Sequence, residues 1–270
     1  MKFPSTVVAA TLLLGAALGA PAATPTPNIV VHENVQIQHF YGYAYDLENG
    51  KYRYTEVHER QVGSDGMLGE STHYYAPDGT LIATRMVDFS GDPFLPRFRL
   101  DQLDTPRSVG ITKLTPQHID AFRQSPKDKT PERQTLQHTA GAVALAGLDN
   151  FIRAHFAELQ NGKPVSVPLF SAETFDTRTA TISRLKNGVL DHHATVRFKV
   201  VSSSWLRLVK GQPILLSYDA ASQRLVEYRG MSELDAPHTH KPYTVRVSYA
   251  RTPPADAPAK LPPLEAADAP

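Results

Sequence analysis

Hydrophobic and polar positions along this chain alternate with a period of two over most of its length, and one stretch changes to a helical period. The first alternating runs are Tyr41–Tyr45, with Tyr41, Tyr43 and Tyr45 on one face, and Lys51–Gln61. Between them Asn49-Gly50 is a hairpin signal. On the second run Tyr52, Tyr54, Glu56 and His58 share one face, and Arg53, Thr55, Val57 and Glu59 share the other. Leu68–Tyr75 and Thr80–Phe89 follow, separated by Pro77-Asp78-Gly79, where proline presets φ and glycine accepts a left-handed turn. Phe94–Leu103 reads as a further strand, with Pro96 either confining it to an edge or delaying its start. Asp104–Gln137 carries Pro106, Pro116, Pro126 and Pro131, and reads as a long excursion with one short helix near Pro116–Phe122.

The helical period lies at Leu145–Gln160. Leu145, Leu148, Phe151, Ile152, His155, Phe156 and Leu159 form its apolar face, and Asp149, Asn150, Arg153 and Glu158 form the polar one. Asn161-Gly162 ends it and Pro164 prevents continuation. Alternation then resumes in Val165–Phe170, Arg178–Leu185, Thr195–Val201, Trp205–Val209, Ile214–Tyr218, Arg224–Arg229 and Tyr243–Tyr249. One helix and many strands predict a mainly β fold: a single highly curved antiparallel sheet, half-barrel or open barrel, with the helix on its concave face.

Composition refines this picture at the ends and in the charge balance. Lys2, the apolar run Val7–Leu18 and the small residues Ala20-Pro21-Ala22-Ala23 read as a signal peptide over residues 1–23. That run is shorter than the roughly 20 residues a membrane-spanning helix needs. The β-rich domain is expected over 29–251, and the Pro/Ala-rich stretch 252–270 as a disordered tail. With 28 basic and 27 acidic residues there is no field for nucleic acid. Cysteine is absent, so disulfides cannot hold the fold, and no Asn-X-Ser/Thr acceptor occurs. A periplasmic or secreted protein with no integral membrane segment in its mature chain fits these features.

Gly42-Tyr43-Ala44-Tyr45-Asp46, Tyr54-Thr55-Glu56-Val57-His58, Tyr75-Ala76-Pro77-Asp78-Gly79, Ala146–Arg153 and Pro213–Asp219 together resemble an uncharacterised family of exported proteobacterial β-rich proteins. The order of strands, helix and further strands is similar to the periplasmic half-barrels of the outer-membrane lipoprotein carrier and receptor. Those wrap a curved sheet around helices and hold acyl chains. That likeness implies architecture only, and no functional residue is carried over.

No Gly-x-Ser-x-Gly elbow, His-Glu-x-x-His helix, phosphate loop or dinucleotide fingerprint is present, and no cofactor is implied. One helix covers only part of a large sheet, so the first expectation is a non-enzymatic envelope protein that binds an apolar or lipid-like ligand between sheet and helix. Phe151, Phe156, Phe198, Trp205, Tyr218 and Tyr228 are the residues placed near that ligand. The rival is a periplasmic hydrolase or metal-dependent enzyme. Its metal ligands would be His238 and His240, with Glu233 and Asp235 shortly before them. Loop histidines in solvent are the plainer reading of that pair. A third possibility is a structural or partner-binding module docking an envelope protein at the edge near Phe94–Leu103. The first-hairpin tyrosines read as cross-strand pairs or a binding wall, with Gly42 and Ala44 leaving the opposite face shallow.

Overall fold

The computed structural model describes residues 35–64, 66–202, 213–250, 253–255 and 257. The proposed signal peptide, the strand expected at Trp205–Val209 and most of the Pro/Ala-rich tail lie outside the described residues. All of the described residues belong to the unit that begins at Asn34.

The first hairpin joins β1 (Gln36–Asp46) to β2 (Tyr52–Gly63) across Asn49-Gly50, with Gly50 at φ 68°. The Asp46 carboxylate accepts the backbone N–H groups of Glu48 and Asn49 and shapes that turn. The meander continues through β3 (Gly66–Tyr75), β4 (Leu81–Asp88), β5 (Arg97–Gln102), β6 (Arg107–Leu114), β7 (His118–Gln124) and β8 (Glu132–Gln137). Next along the chain come β9 (Val143–Ala144), β10 (Val165–Ser171), β11 (Asp176–Leu190), β12 (His193–Ser202), β13 (Ile214–Asp219), β14 (Leu225–Ala236) and β15 (Lys241–Ser248). These fifteen described strands form one sheet in the order β8 to β1, then β15 down to β9. The first and last strands therefore meet in its middle, and its two edges are sequence neighbours joined through residues 138–142. All pairings are antiparallel except β9 with β10.

Two expectations change. The stretch Asp104–Gln137 is three strands rather than an excursion, and the helix expected at Pro116–Phe122 is β7. Ile119 and Ala121 alternate inward there, and the prolines fall before, between or after strands. For Phe94–Leu103 the delayed start holds and the edge does not: Pro96 precedes the first paired residue of β5, which has β4 on one side and β6 on the other. The docking surface expected on that edge is absent. The described edges are β8 and β9.

The sheet is open and curled, and its inward face makes the core. Contacts between strands distant in the order show the curl. The Tyr54 hydroxyl on β2 lies 2.7 Å from Ser232 Oγ on β14. Gln102 on β5 donates to the Asp235 carbonyl at 2.8 Å and accepts from its N–H at 2.9 Å. Arg107 on β6 donates to the Glu233 carbonyl at 2.9 Å.

The helical segment sits on the concave side of β10–β13. It is a 3-10 turn at Leu145–Gly147, then α1 (Leu148–Ala154) and α2 (Phe156–Gln160), broken at His155, whose φ is −102° and ψ 13°. Leu148, Ile152, Phe156 and Leu159 are buried against Val167, Ile182, Phe198 and Tyr218. The segment is seated by the loop before β5. Ala144 N–H donates to the Phe94 carbonyl at 2.9 Å, and a Cβ on Gly147 would stand 2.1 Å from that same oxygen. Only glycine permits this approach.

Candidate functional site

Between α1 and the strands β1–β4 and β13–β15 lies a cavity of about 1310 Å³. This exceeds the roughly 300–1,000 Å³ of ordinary small-molecule sites. Part of its lining is apolar, including Ile37, Met67, Leu145, Leu148, Leu216 and Leu225. The other part is a network of ionised side chains built by alternation on neighbouring strands. Glu56, His58 and Arg60 project from β2, Glu70 and Thr72 from β3, Arg85 from β4 and Glu233 from β14.

His58 is the centre of that network. Its Nε2 lies 3.0 Å from Glu56 Oε2, and its Nδ1 lies 3.2 Å from both Glu70 Oε1 and Thr72 Oγ1. A neutral imidazole would turn a lone pair on one carboxylate, so an imidazolium donating from both nitrogens fits this geometry. Burial opposes the charge, but Glu56 and Glu70 outweigh it and raise the His58 pKa above its ordinary 6.5. Phe40 stacks on the ring at 4.4 Å and 4°, and Tyr249 meets it edge-on at 5.9 Å.

Glu70 collects the remaining cations. Arg60 Nε donates to it at 2.7 Å and Arg85 Nη2 at 2.8 Å. Burial pushes its pKa up, yet Arg60, His58 and Arg85 hold it well below the usual carboxylate range. Arg85 Nη1 donates to Glu233 at 2.8 Å, and the Tyr74 hydroxyl donates to the same oxygen at 3.3 Å. Three carboxylates thus balance two guanidiniums and one imidazolium. Burial pushes the phenols of Tyr54, Tyr74 and Tyr249 well above their ordinary value, so they remain donors.

Gly42 makes the network possible. A Cβ there would stand 2.6 Å from Glu56 Oε2 and 2.9 Å from both Tyr249 and Val247. The shallow place opposite the first-hairpin tyrosines is filled by the Glu56 carboxylate itself. Of the first-hairpin tyrosines Tyr41 joins the cavity lining, while Tyr43 and Tyr45 do not, and Tyr45 meets Tyr52 edge-on at 5.1 Å.

The residues expected to bind ligand are brought together only in part. Tyr228 lines the cavity and donates to the Met231 carbonyl at 2.6 Å. Phe156, Phe198 and Tyr218 form one aromatic cluster, with centroids 5.3–5.7 Å apart, in the core beneath the helices. Phe151 packs edge-on against Phe94. Trp205 lies outside the described residues. His238 and His240 sit exposed in the turn between β14 and β15. The carboxylates expected beside them are engaged elsewhere: Glu233 binds Arg85 and Tyr74, while Asp235 lies 3.5 Å from Arg107. Among the described residues no group of three or more possible ligands converges to hold a metal.

The polar side of the helix also differs from expectation. Asp149, Asn150 and Arg153 line the cavity, and Asp149 accepts the Tyr218 hydroxyl at 3.0 Å. Sequence reasoning passed over Arg60, Glu70 and Arg85, and considered Glu233 only as a carboxylate near the loop histidines. Charged residues two apart on β2 were a visible signal, but both faces of that strand are polar, so alternation alone did not mark its inner side.

No protein-family model and no curated protein matches the chain. Among solved structures it is similar to a crystal structure from Brucella abortus described as a beta-barrel-like protein of domain of unknown function DUF1849. Identity is 11%, the TM-score is 0.46, and the match covers 79% of this chain and 95% of that one.

Proposed function

We propose that this chain is an exported envelope protein that binds a lipid-like amphiphile in the cavity between sheet and helix. The observation that carries this reading is the two-sided lining: apolar side chains from the helix, β1 and β13 face a charged network on β2–β4 and β14. An aliphatic tail gains by leaving water for the apolar part, at about 0.8 kcal/mol per buried CH₂. A polar head has hydrogen-bonding partners on the other. The network is already paired in itself, which lets charged groups line a cavity without an isolated buried charge. Export rests on the apolar run Val7–Leu18 and the small residues after it.

Protein purified under mild conditions should release a co-purifying amphiphile into organic solvent, identified by mass spectrometry. It should also take up a fluorescent fatty acid. Repeated extraction without any lipid, together with no probe uptake, overturns the reading. Export is tested separately, by fusing residues 1–23 to a reporter active only outside the cytoplasm.

A further inference from the structure

Charge around the cavity is unevenly committed. Its lining holds four carboxylates, Glu56, Glu70, Asp149 and Glu233, and four guanidiniums, Arg60, Arg85, Arg153 and Arg224. Every one of those carboxylates has a polar partner: His58 for Glu56, three cations for Glu70, Arg85 for Glu233 and the Tyr218 hydroxyl for Asp149. Arg224 is engaged as well. Arg153 is different: it lies on α1 at the cavity wall, exposed, with no hydrogen bond or ion pair among the described residues. Two histidines complete the lining: His39, 3.4 Å from Glu59, and His58, which lies between two carboxylates of the network.

We propose that His58, held between Glu56 and Glu70, makes this cavity selective for an amphiphile with an anionic head group, such as a carboxylate, and releases it when the imidazolium is lost. The inference rests on the binding function proposed above and names the class of head group. With His58 charged, the network on β2–β4 and β14 is balanced, three cations against three carboxylates, and Arg153 is the uncommitted cation of the cavity wall. With His58 neutral, the network on β2–β4 and β14 has three carboxylates against two guanidiniums, and Glu56 loses its partner inside a cavity wall. An anion close to that wall is then repelled, in surroundings where screening by water is reduced.

The groups around the ring allow only this direction of change. From its own strand His58 meets Glu56, with Arg60 one step further along the same face, and from β3 it meets Glu70 and Thr72. Arg85 on β4 and Glu233 on β14 complete the network, and Tyr249 closes the ring's edge. From the helix, Asp149 and Arg153 face the same space. Because Glu70 is held low and the arginines stay charged, His58 is the network member that titrates on the alkaline side of its ordinary 6.5. Anion affinity is present below the raised His58 pKa and lost as pH rises through it.

The test uses a fluorescent polyene fatty acid and its methyl ester, which share a chain and differ in head charge. In the parent protein, affinity for the acid should fall about tenfold between about pH 6 and pH 9, equivalent to about 1.4 kcal/mol, while ester affinity stays within about twofold. His58→Gln should flatten the acid's profile. Arg153→Gln, at an exposed site that leaves the core intact, should weaken the acid several-fold and the ester little. Equal pH profiles for acid and ester, or a steep acid profile surviving His58→Gln, overturn the inference while leaving ligand binding in place. Failure of both probes to bind the parent protein overturns the binding function itself. If His58→Gln does not fold, the acid–ester comparison in the parent and in Arg153→Gln decides the question.

Discussion

Glu70 and His58 show how single residues govern this structure. Glu70 is the shared acceptor of Arg60, Arg85 and His58, with its side chain 6% exposed. Removing one partner of a buried ion pair leaves the others charged and unpaired, so Glu70→Ala should cost about 3–5 kcal/mol in urea denaturation. Glu233→Ala should cost less, because its side chain is 28% exposed and Arg85 keeps Glu70. The pH dependence follows from the signs of the two shifts. The raised His58 pKa adds stability that is complete below 6.5 and lost as pH climbs through the folded value. The lowered Glu70 pKa adds stability that is complete above 4.5 and lost as pH falls through the folded value. Both contributions are present together between 4.5 and 6.5. Urea midpoints across pH should therefore peak there and decline on the alkaline side, and His58→Gln should abolish the alkaline decline.

Among elements, the broken helix is the test case. Phe156 is 2% exposed and meets Phe198 and Tyr218 edge-on at 5.3 and 5.6 Å. Phe156→Ala should lose about 3–5 kcal/mol, the range for deleting a buried aromatic. Glu158 pairs at the surface with Lys163 and, at 3.3 Å, with His155. Glu158→Ala should leave stability nearly unchanged, since exposed ion pairs contribute little. Chemical denaturation of the two variants side by side checks both expectations. Equal stability of Phe156→Ala and the parent would mean that the helices do not hold the inner face of β10–β13.

For the whole molecule, the seam that keeps the sheet curled matters most. Arg107 on β6 joins Glu173 after β10 and lies 3.5 Å from Asp235, while Gln102 bonds both backbone groups of Asp235. Gln102 is 2% exposed, so Gln102→Ala leaves a buried N–H and C=O with no partner, at a cost of about 1–3 kcal/mol for each. Amide hydrogen exchange should then quicken in β5–β7 and around Asp235, while β11–β13 keep their protection. Uniform quickening across the sheet would show that the seam does not open separately.

Alternation, turn chemistry and one helical period were enough to determine the mainly β class, the first hairpins and the buried face of the helix, because these depend on neighbours within a few residues. Asn49-Gly50 and Pro77-Asp78-Gly79 fix their turns locally, and the spacing of Leu148, Ile152, Phe156 and Leu159 puts them on one face wherever the helix lies. Sequence left β5 between an edge and a delayed start and read β6–β8 as an excursion, because which strands flank a given strand is a long-range property. The charged wall was hidden for a related reason. Glu56, His58 and Arg60 alternate on β2, but Glu70, Arg85 and Glu233 join them only when β2–β4 align in register and the curl carries β14 across to face them. Tertiary structure alone decided that these ionisable groups face a cavity, because their pairing, and so their protonation, depends on distances between strands far apart in the chain.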